Sequence, residues 1–182
     1  MGTDMYIKKW NLTISTFFLI VLCFIAPGIN AQEASLQKEI DNQVWKPFIQ
    51  SFNNMDTKGF MLLHSKDLIR VGEDDAYIVG YEQYYRDNAE SNEKRRKDLE
   101  KNNDYKRTIA LRFIRRIAKE GKAMDIGYYK VSTITAGKIS AHYGKFQVLL
   151  RKELGVWKIL MDADTSEMAD EPGFLSAKPM EQ

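Results

Sequence analysis

A carboxylate at Asp162, an imidazole at His142 and a phenol at Tyr129 fall on one face of a series of alternating apolar and polar residues. These three residue types suit proton transfer. A carboxylate on an apolar wall has its pKa raised by desolvation, while a nearby imidazolium lowers it. Asp162 and His142 are therefore the candidate catalytic pair, able to take a proton from carbon beside a carbonyl. A hydroxyl from Tyr81, Tyr84 or Tyr129 would steady the developing enolate. The same two residues also fit a structural role, with Asp162 accepting hydrogen bonds at a strand end and His142 packed in a core. Tyr81, Tyr84, Tyr129, Phe146 and Asp162 are the expected ligand contacts, and Asp164 follows at the strand end.

Other chemistries have less to stand on. His64 and His142 belong to different elements, and no H-x-x-x-H spacing or paired-acid loop occurs. The turn Glu73-Asp74-Asp75 could collect a cation but also reads as a plain acidic turn. Gly72, Gly80, Gly121 and Gly137 form no phosphate loop, and there is no nucleophile elbow. No metal and no cofactor are expected.

The elements that must position these residues are four strand-like runs between Lys106 and Asp164, separated by polar breaks at Gly121, Gly137 and Gly155. Alternation bounded by glycine turns predicts an antiparallel meander. Tight hairpins would set Phe113 opposite Gly127, Leu111 opposite Tyr129, Ile109 opposite Val131, Val131 opposite His142, and Tyr129 opposite Gly144. Across the last hairpin, Phe146 is expected opposite Asp162 and Val148 opposite Leu160. One face is then apolar with two glycines that leave room, as small-molecule sites require. The other face carries Tyr128, Leu149, Trp157 and Ile159 among cations, and is the expected homodimer interface.

Upstream, Leu36, Ile40, Val44, Phe48 and Phe52 recur every four residues and predict an amphipathic helix, kinked or starting late because of Pro47. Asp56 is placed to cap a short second helix to His64. Two short strands flank the turn 72–75, and a third, highly charged helix covers 80–104, its mixed charges marking a solvated face. The order gives an α+β domain: about three N-terminal helices packed as a cone on a curved, mainly antiparallel sheet.

Residues 1–31 read as a cleavable signal peptide, with Lys8 and Lys9 before the apolar run Leu12 to Ile25, a break at Pro27-Gly28, and Ala31 at the cleavage site. The domain is expected at 32–165 and a flexible tail at 166–182, with Pro172, Gly173 and Pro179. The chain would then be secreted or periplasmic, free of the membrane after cleavage, and without its single cysteine, Cys23. Its 25 cationic and 24 anionic remaining side chains make a nucleic-acid partner unexpected.

The run Ala76-Tyr77-Ile78-Val79-Gly80-Tyr81-Glu82 and the closing KFQVLLRKELGVWKILMDAD resemble the nuclear transport factor 2-like superfamily, which includes ketosteroid isomerase-like and SnoaL-like proteins. The resemblance spans Leu36 to Thr165. It implies a cone with a deep pocket between helices and sheet, often dimerising through the outer sheet face. It also implies a pocket acid at Asp162. Three roles follow as expectations: binding of a small apolar or amphipathic molecule, cofactor-free proton transfer, or assembly without catalysis.

Overall fold

The computed structural model describes residues 26–101 and 104–180. The expected signal segment lies, over residues 1–25, outside the described residues. No helix among the described residues is long and apolar enough to cross a membrane. The chain divides into two compact units, Met1–Leu36 and Gln37–Gln182. The second carries the whole sheet.

Helix α1 (Ala26–Ile40) leads into a wide π-type turn (Asp41–Trp45) and then α2 (Lys46–Asn53). The kink expected at Pro47 is replaced by this widened turn. Proline has no N–H to donate, and its ring presses on the carbonyl four residues back. Letting Lys46 N–H donate to Asp41 O across five residues relieves that pressure. The turn also brings Asp41, Val44 and Trp45 into the interior together. Asp56 caps α3 (Thr57–Leu62) by accepting from Gly59 N–H at 2.9 Å. Strands β1 (His64–Gly72) and β2 (Tyr77–Gly80) and the long helix α4 (Tyr81–Lys101) follow.

The meander consists of β3 (Lys106–Lys119), β4 (Lys122–Thr135), β5 (Lys138–Glu153) and β6 (Val156–Thr165). Each hairpin turns on two residues with positive φ: Glu120-Gly121, Ala136-Gly137 and Leu154-Gly155. That is the type I′ geometry whose twist matches paired strands. With the short strand β7 (Lys178–Pro179), seven strands lie in the order β2-β1-β6-β5-β4-β3-β7. Among the described residues only β1 and β6 run parallel. The architecture is thus the expected α+β one, helices on a curved, mainly antiparallel sheet.

The expected register holds for β3, β4 and the start of β5, where Phe113 meets Gly127, Leu111 meets Tyr129 and Val131 meets His142. It differs at β6. Phe146 pairs with Asp164 and Val148 with Asp162, two residues from the expected partners. The two-residue loop sets Glu153 opposite Val156, one residue from the assumed register, and the unpaired Leu160 adds a second. Asp162 and Asp164 therefore stay on the inner face.

That bulge corrects the proposed interface. Beyond Leu160 the side-chain alternation is reversed, so Trp157 and Ile159 point inward and are both fully buried. Lys152 Nζ stands over the Trp157 ring. Tyr128 and Leu149 remain on the outer face, half-buried. A second bulge, at Ile114 in β3, turns Arg116 inward to pair with Asp125 of β4.

The tail is a second correction. It folds back as α5 (Glu171–Ser176) and β7, which pairs with Arg112 and Phe113 of β3. Phe174 is buried between Tyr143 and the Arg112 guanidinium, whose N–H groups donate to Leu175 O and Ala177 O. Burying one phenyl ring contributes about 1.5–3 kcal/mol. That ring and the β7 pairing order a segment whose composition alone reads as loose.

Candidate ligand cavity

A cavity of about 470 Å³ lies between the inner face of the sheet and helices α2 and α4. The two inner-face glycines do not create it. A Cβ on Gly127 would stand 2.0 Å from Arg112 O and 2.7 Å from the Phe146 ring, and one on Gly144 would stand 2.1 Å from the Tyr129 ring. The space they free is taken by Phe146 and Tyr129, whose rings lie across the neighbouring strand.

The floor is aromatic and closed. Trp45 packs against Phe48, Phe113 and Phe146 with ring centroids 5.6–5.7 Å apart, in edge and tilted arrangements. Behind it, Trp45 Nε1–H donates to Asp125 Oδ2 at 2.7 Å, and Arg116 bridges Asp125 and Asp41. Burial pushes the Asp125 carboxyl up while Arg116 and Trp45 hold it down. This cluster is ion-paired within the fold, and Asp41, Arg116 and Asp125 do not line the cavity.

The inner polar end is built by β1 and β6. Arg70 N–H groups donate to Asp164 Oδ1 at 2.5 Å and to the backbone oxygens of Asp162, at 3.0 Å, and Val71. Its Nε lies 3.8 Å from Asp162 Oδ2. Burial disfavours the Arg70 charge, but Asp162 and Asp164 outweigh it and raise the guanidinium pKa. Both carboxyls are themselves raised by burial, against the pull of Arg70. Tyr84 and Tyr129 close over this end. Burial pushes both phenols up, with Asp162 adding to Tyr84 and Asp164 to Tyr129.

His64 stands beneath Asp162. Its Nδ1 pairs with Phe60 O at 3.0 Å, and its Nε2 has no hydrogen-bond partner and lies 3.9 Å from Asp162 Oδ2. Burial lowers its pKa from 6.5 to about 4. Neutral His64 therefore donates through Nδ1 and presents a bare Nε2 lone pair to the Asp162 carboxyl.

Of the residues expected from sequence, Tyr84, Tyr129, Phe146 and Asp162 all line the cavity. His142 lines it as well, but at the opposite end and with its side chain exposed. Val131 pairs with His142 and Val148 with Asp162, so the two lie six β5 residues apart, about 20 Å at strand rise. The structure does not bring Asp162 and His142 together. Tyr81 lies outside the lining, buried at the start of α4 with the Lys66 ammonium 3.6 Å over its ring. The acidic turn is engaged too, since Asp74 accepts from Ser166 N and Oγ and from the Thr165 hydroxyl.

Sequence reading weighed His64 only as a metal ligand and passed over Arg70, Arg95 and Arg107. Arg70 had a detectable signal, because it shares the strand alternation of buried Leu68. Arg95 was hidden among the charges of α4, most of which do face solvent.

No family model matches the chain, and no curated protein matches it in sequence. Solved structures do match in fold. A nuclear transport factor 2-like protein with a cystatin-like fold from Novosphingobium aromaticivorans is 11% identical, covering 82% of this chain and 96% of its own, with a TM-score of 0.60. A ketosteroid isomerase-like protein from Erwinia carotovora atroseptica is 14% identical, covering 71% and 94%, with a TM-score of 0.52. A putative calcium/calmodulin-dependent protein kinase II association domain from Xanthomonas campestris is 13% identical, covering 66% and 81%, with a TM-score of 0.51. The chain has the cystatin-like fold of nuclear transport factor 2-like proteins.

Proposed function

We propose that this chain is an exported small-molecule-binding protein that takes an amphipathic ligand into the cone of its nuclear transport factor 2-like fold. One observation carries the reading. Phe52 and Phe60 line the cavity and Met61 is wholly buried, yet about 470 Å³ remains, within the range of small-ligand sites. An assembly module plugged by its own side chains would not keep that volume. Native mass spectrometry of the purified protein tests the reading, together with thermal unfolding in the presence of amphiphiles. A ligand at a hundredfold excess over its Kd stabilises by about 2.7 kcal/mol. We expect retained or added ligand in the wild type and none in a Val131→Trp variant, whose indole would fill the mouth. An empty wild-type mass with no stabilisation by any amphiphile would refute the proposal.

A second reading is favoured by the Asp162 carboxyl, raised by burial and facing an unpartnered His64 Nε2 with Tyr84 and Tyr129 nearby. The group suits proton transfer next to a carbonyl, the ketosteroid isomerase-like neighbour offering an analogy of fold. Asp162→Asn decides it, since turnover unaffected by that change would leave Asp162 a structural residue.

A further inference from the structure

The far end of the cavity from Arg70 holds two arginines that no acid among the described residues neutralises. Arg107 opens β3 and lays its guanidinium 3.7 Å over the Phe52 ring. Arg95 comes from α4, and its Nη1 donates only to Asn92 Oδ1, at 3.2 Å. Both are half-buried and both line the cavity. Among the described residues neither forms an ion pair with an acid, and Glu93, close in sequence to Arg95, turns to Arg96 and Lys97 instead. The other charges of the cavity are all engaged. Arg70 pairs with Asp164 and lies against Asp162, and Asp87 accepts from the Tyr77 hydroxyl and from Gln83.

Two like charges facing one partly desolvated space are unfavourable unless an anion joins them. Their proximity registers on Arg107, whose pKa falls to about 10 through burial and the Arg95 charge. The guanidinium held over Phe52 donates no hydrogen bond among the described residues, which leaves its N–H groups available to a carboxylate. The cavity beyond Phe52 is lined by Ile109, Phe48 and Phe146 before it reaches Asp164 and Asp162. A second negative charge on the ligand would meet those acids.

We infer that Arg95 and Arg107 form a carboxylate-binding subsite, and that the ligand is an amphipathic organic monoanion held head-first at the mouth with its apolar body along the aromatic wall. This rests on the cavity reading above and specifies its ligand class. The head group is bound by the two guanidinium edges, and the apolar body displaces water from Phe52, Phe48 and Phe146.

The test compares decanoate, decanol and decyltrimethylammonium by isothermal titration on the purified wild type and on Arg107→Met and Arg95→Gln. Methionine keeps an apolar stem over Phe52 while removing the charge, and thermal unfolding checks that each variant is folded. A charged hydrogen bond is worth about tenfold or more in affinity. Decanoate should therefore bind about tenfold tighter than decanol and weaken by about tenfold in either variant, while decanol affinity stays put. Raising salt should weaken decanoate alone. Equal affinity for decanoate and decanol, or decanoate binding that ignores both substitutions, overturns the subsite and leaves the cavity reading intact. Failure of all three probes to bind overturns both.

Discussion

His64 offers a measurement that separates burial from ion pairing at the inner end of the cavity. Two effects oppose each other there. Burial favours the neutral imidazole, while the Asp162 carboxyl, 3.9 Å from Nε2, would favour the imidazolium if it were ionised. The side chain is fully buried, Nδ1 is occupied by Phe60 O, and Arg70 and Lys158 add positive charge nearby, so the neutral form wins and the pKa falls from 6.5 to about 4. At about 1.4 kcal/mol for each pKa unit, that gap amounts to about 3 kcal/mol. Because the folded value is the lower one, the unfolded chain binds more protons than the native state between the two. Stability tied to His64 is then complete above pH 6.5 and is lost as pH falls toward about 4. Urea unfolding of the wild type and His64→Gln, each near neutral pH and near pH 4, isolates the effect from the other titrating groups. The wild type should lose about 3 kcal/mol more than the variant across that range. In parallel, the His64 ring-proton resonance should not move until the solution is more acidic than about pH 5. A His64 titration at or above 6.5, with stability rising on acidification relative to the variant, would show an imidazolium–carboxylate pair and refute the burial argument.

Arg70→Met leaves Asp162 and Asp164 buried without their cation and removes the donors to Val71 O and Asp162 O. We expect a loss of about 3–5 kcal/mol near pH 8. Both acids already have raised pKa values, so they protonate above the ordinary carboxylate range, and the loss should shrink to about 1–2 kcal/mol, the share of the carbonyl bonds, near pH 4. An equal loss at both pH values would mean that the acids are not ionised beside Arg70. Phe174→Ala removes the ring that anchors α5 between Tyr143 and Arg112. Amide exchange should then accelerate at Ala177 and Lys178 with protection in β4 and β5 unchanged.

The fold was legible because its signals are local and repeated. Each hairpin carries glycine second in a two-residue loop, and outside the Ile114 bulge β3 to β5 alternate cleanly enough to fix which residues face each other. Asp56 announces the cap of α3 in the same local way. The site was legible in part, for the same reason. Tyr129, Phe146 and Asp162 share the inner alternation and all reach the cavity. Alternation puts His142 and Asp162 on one face, but the expected register already separated them by four β5 residues, and the two-residue loop and the Leu160 bulge widen that to six. The arginines were illegible for another reason: Arg95 and Arg107 come from different elements, and only the tertiary fold puts both on the lining of one cavity.

The two bulges explain why the outer face was misjudged and why the cavity is shaped as it is. Leu160 and Ile114 each add one residue to a strand whose partner has none, and each reverses the alternation toward the Lys119–Lys122 and Glu153–Val156 hairpins. On that side of the bulges Trp157, Ile159 and Arg116 turn inward and fill the interior with two rings, a branched chain and an ion cluster. On the other side the regular alternation continues, and Val131, Tyr129 and Ile109 line the cavity wall. The extra residues thus close one end of the cone and leave the other open. Had alternation run unbroken, Trp157 and Ile159 would stand on the outer face, and the interior behind the Trp45 floor would lose its filling. The same local irregularity that removes two residues from the expected dimer surface packs the interior behind the aromatic floor of the cavity.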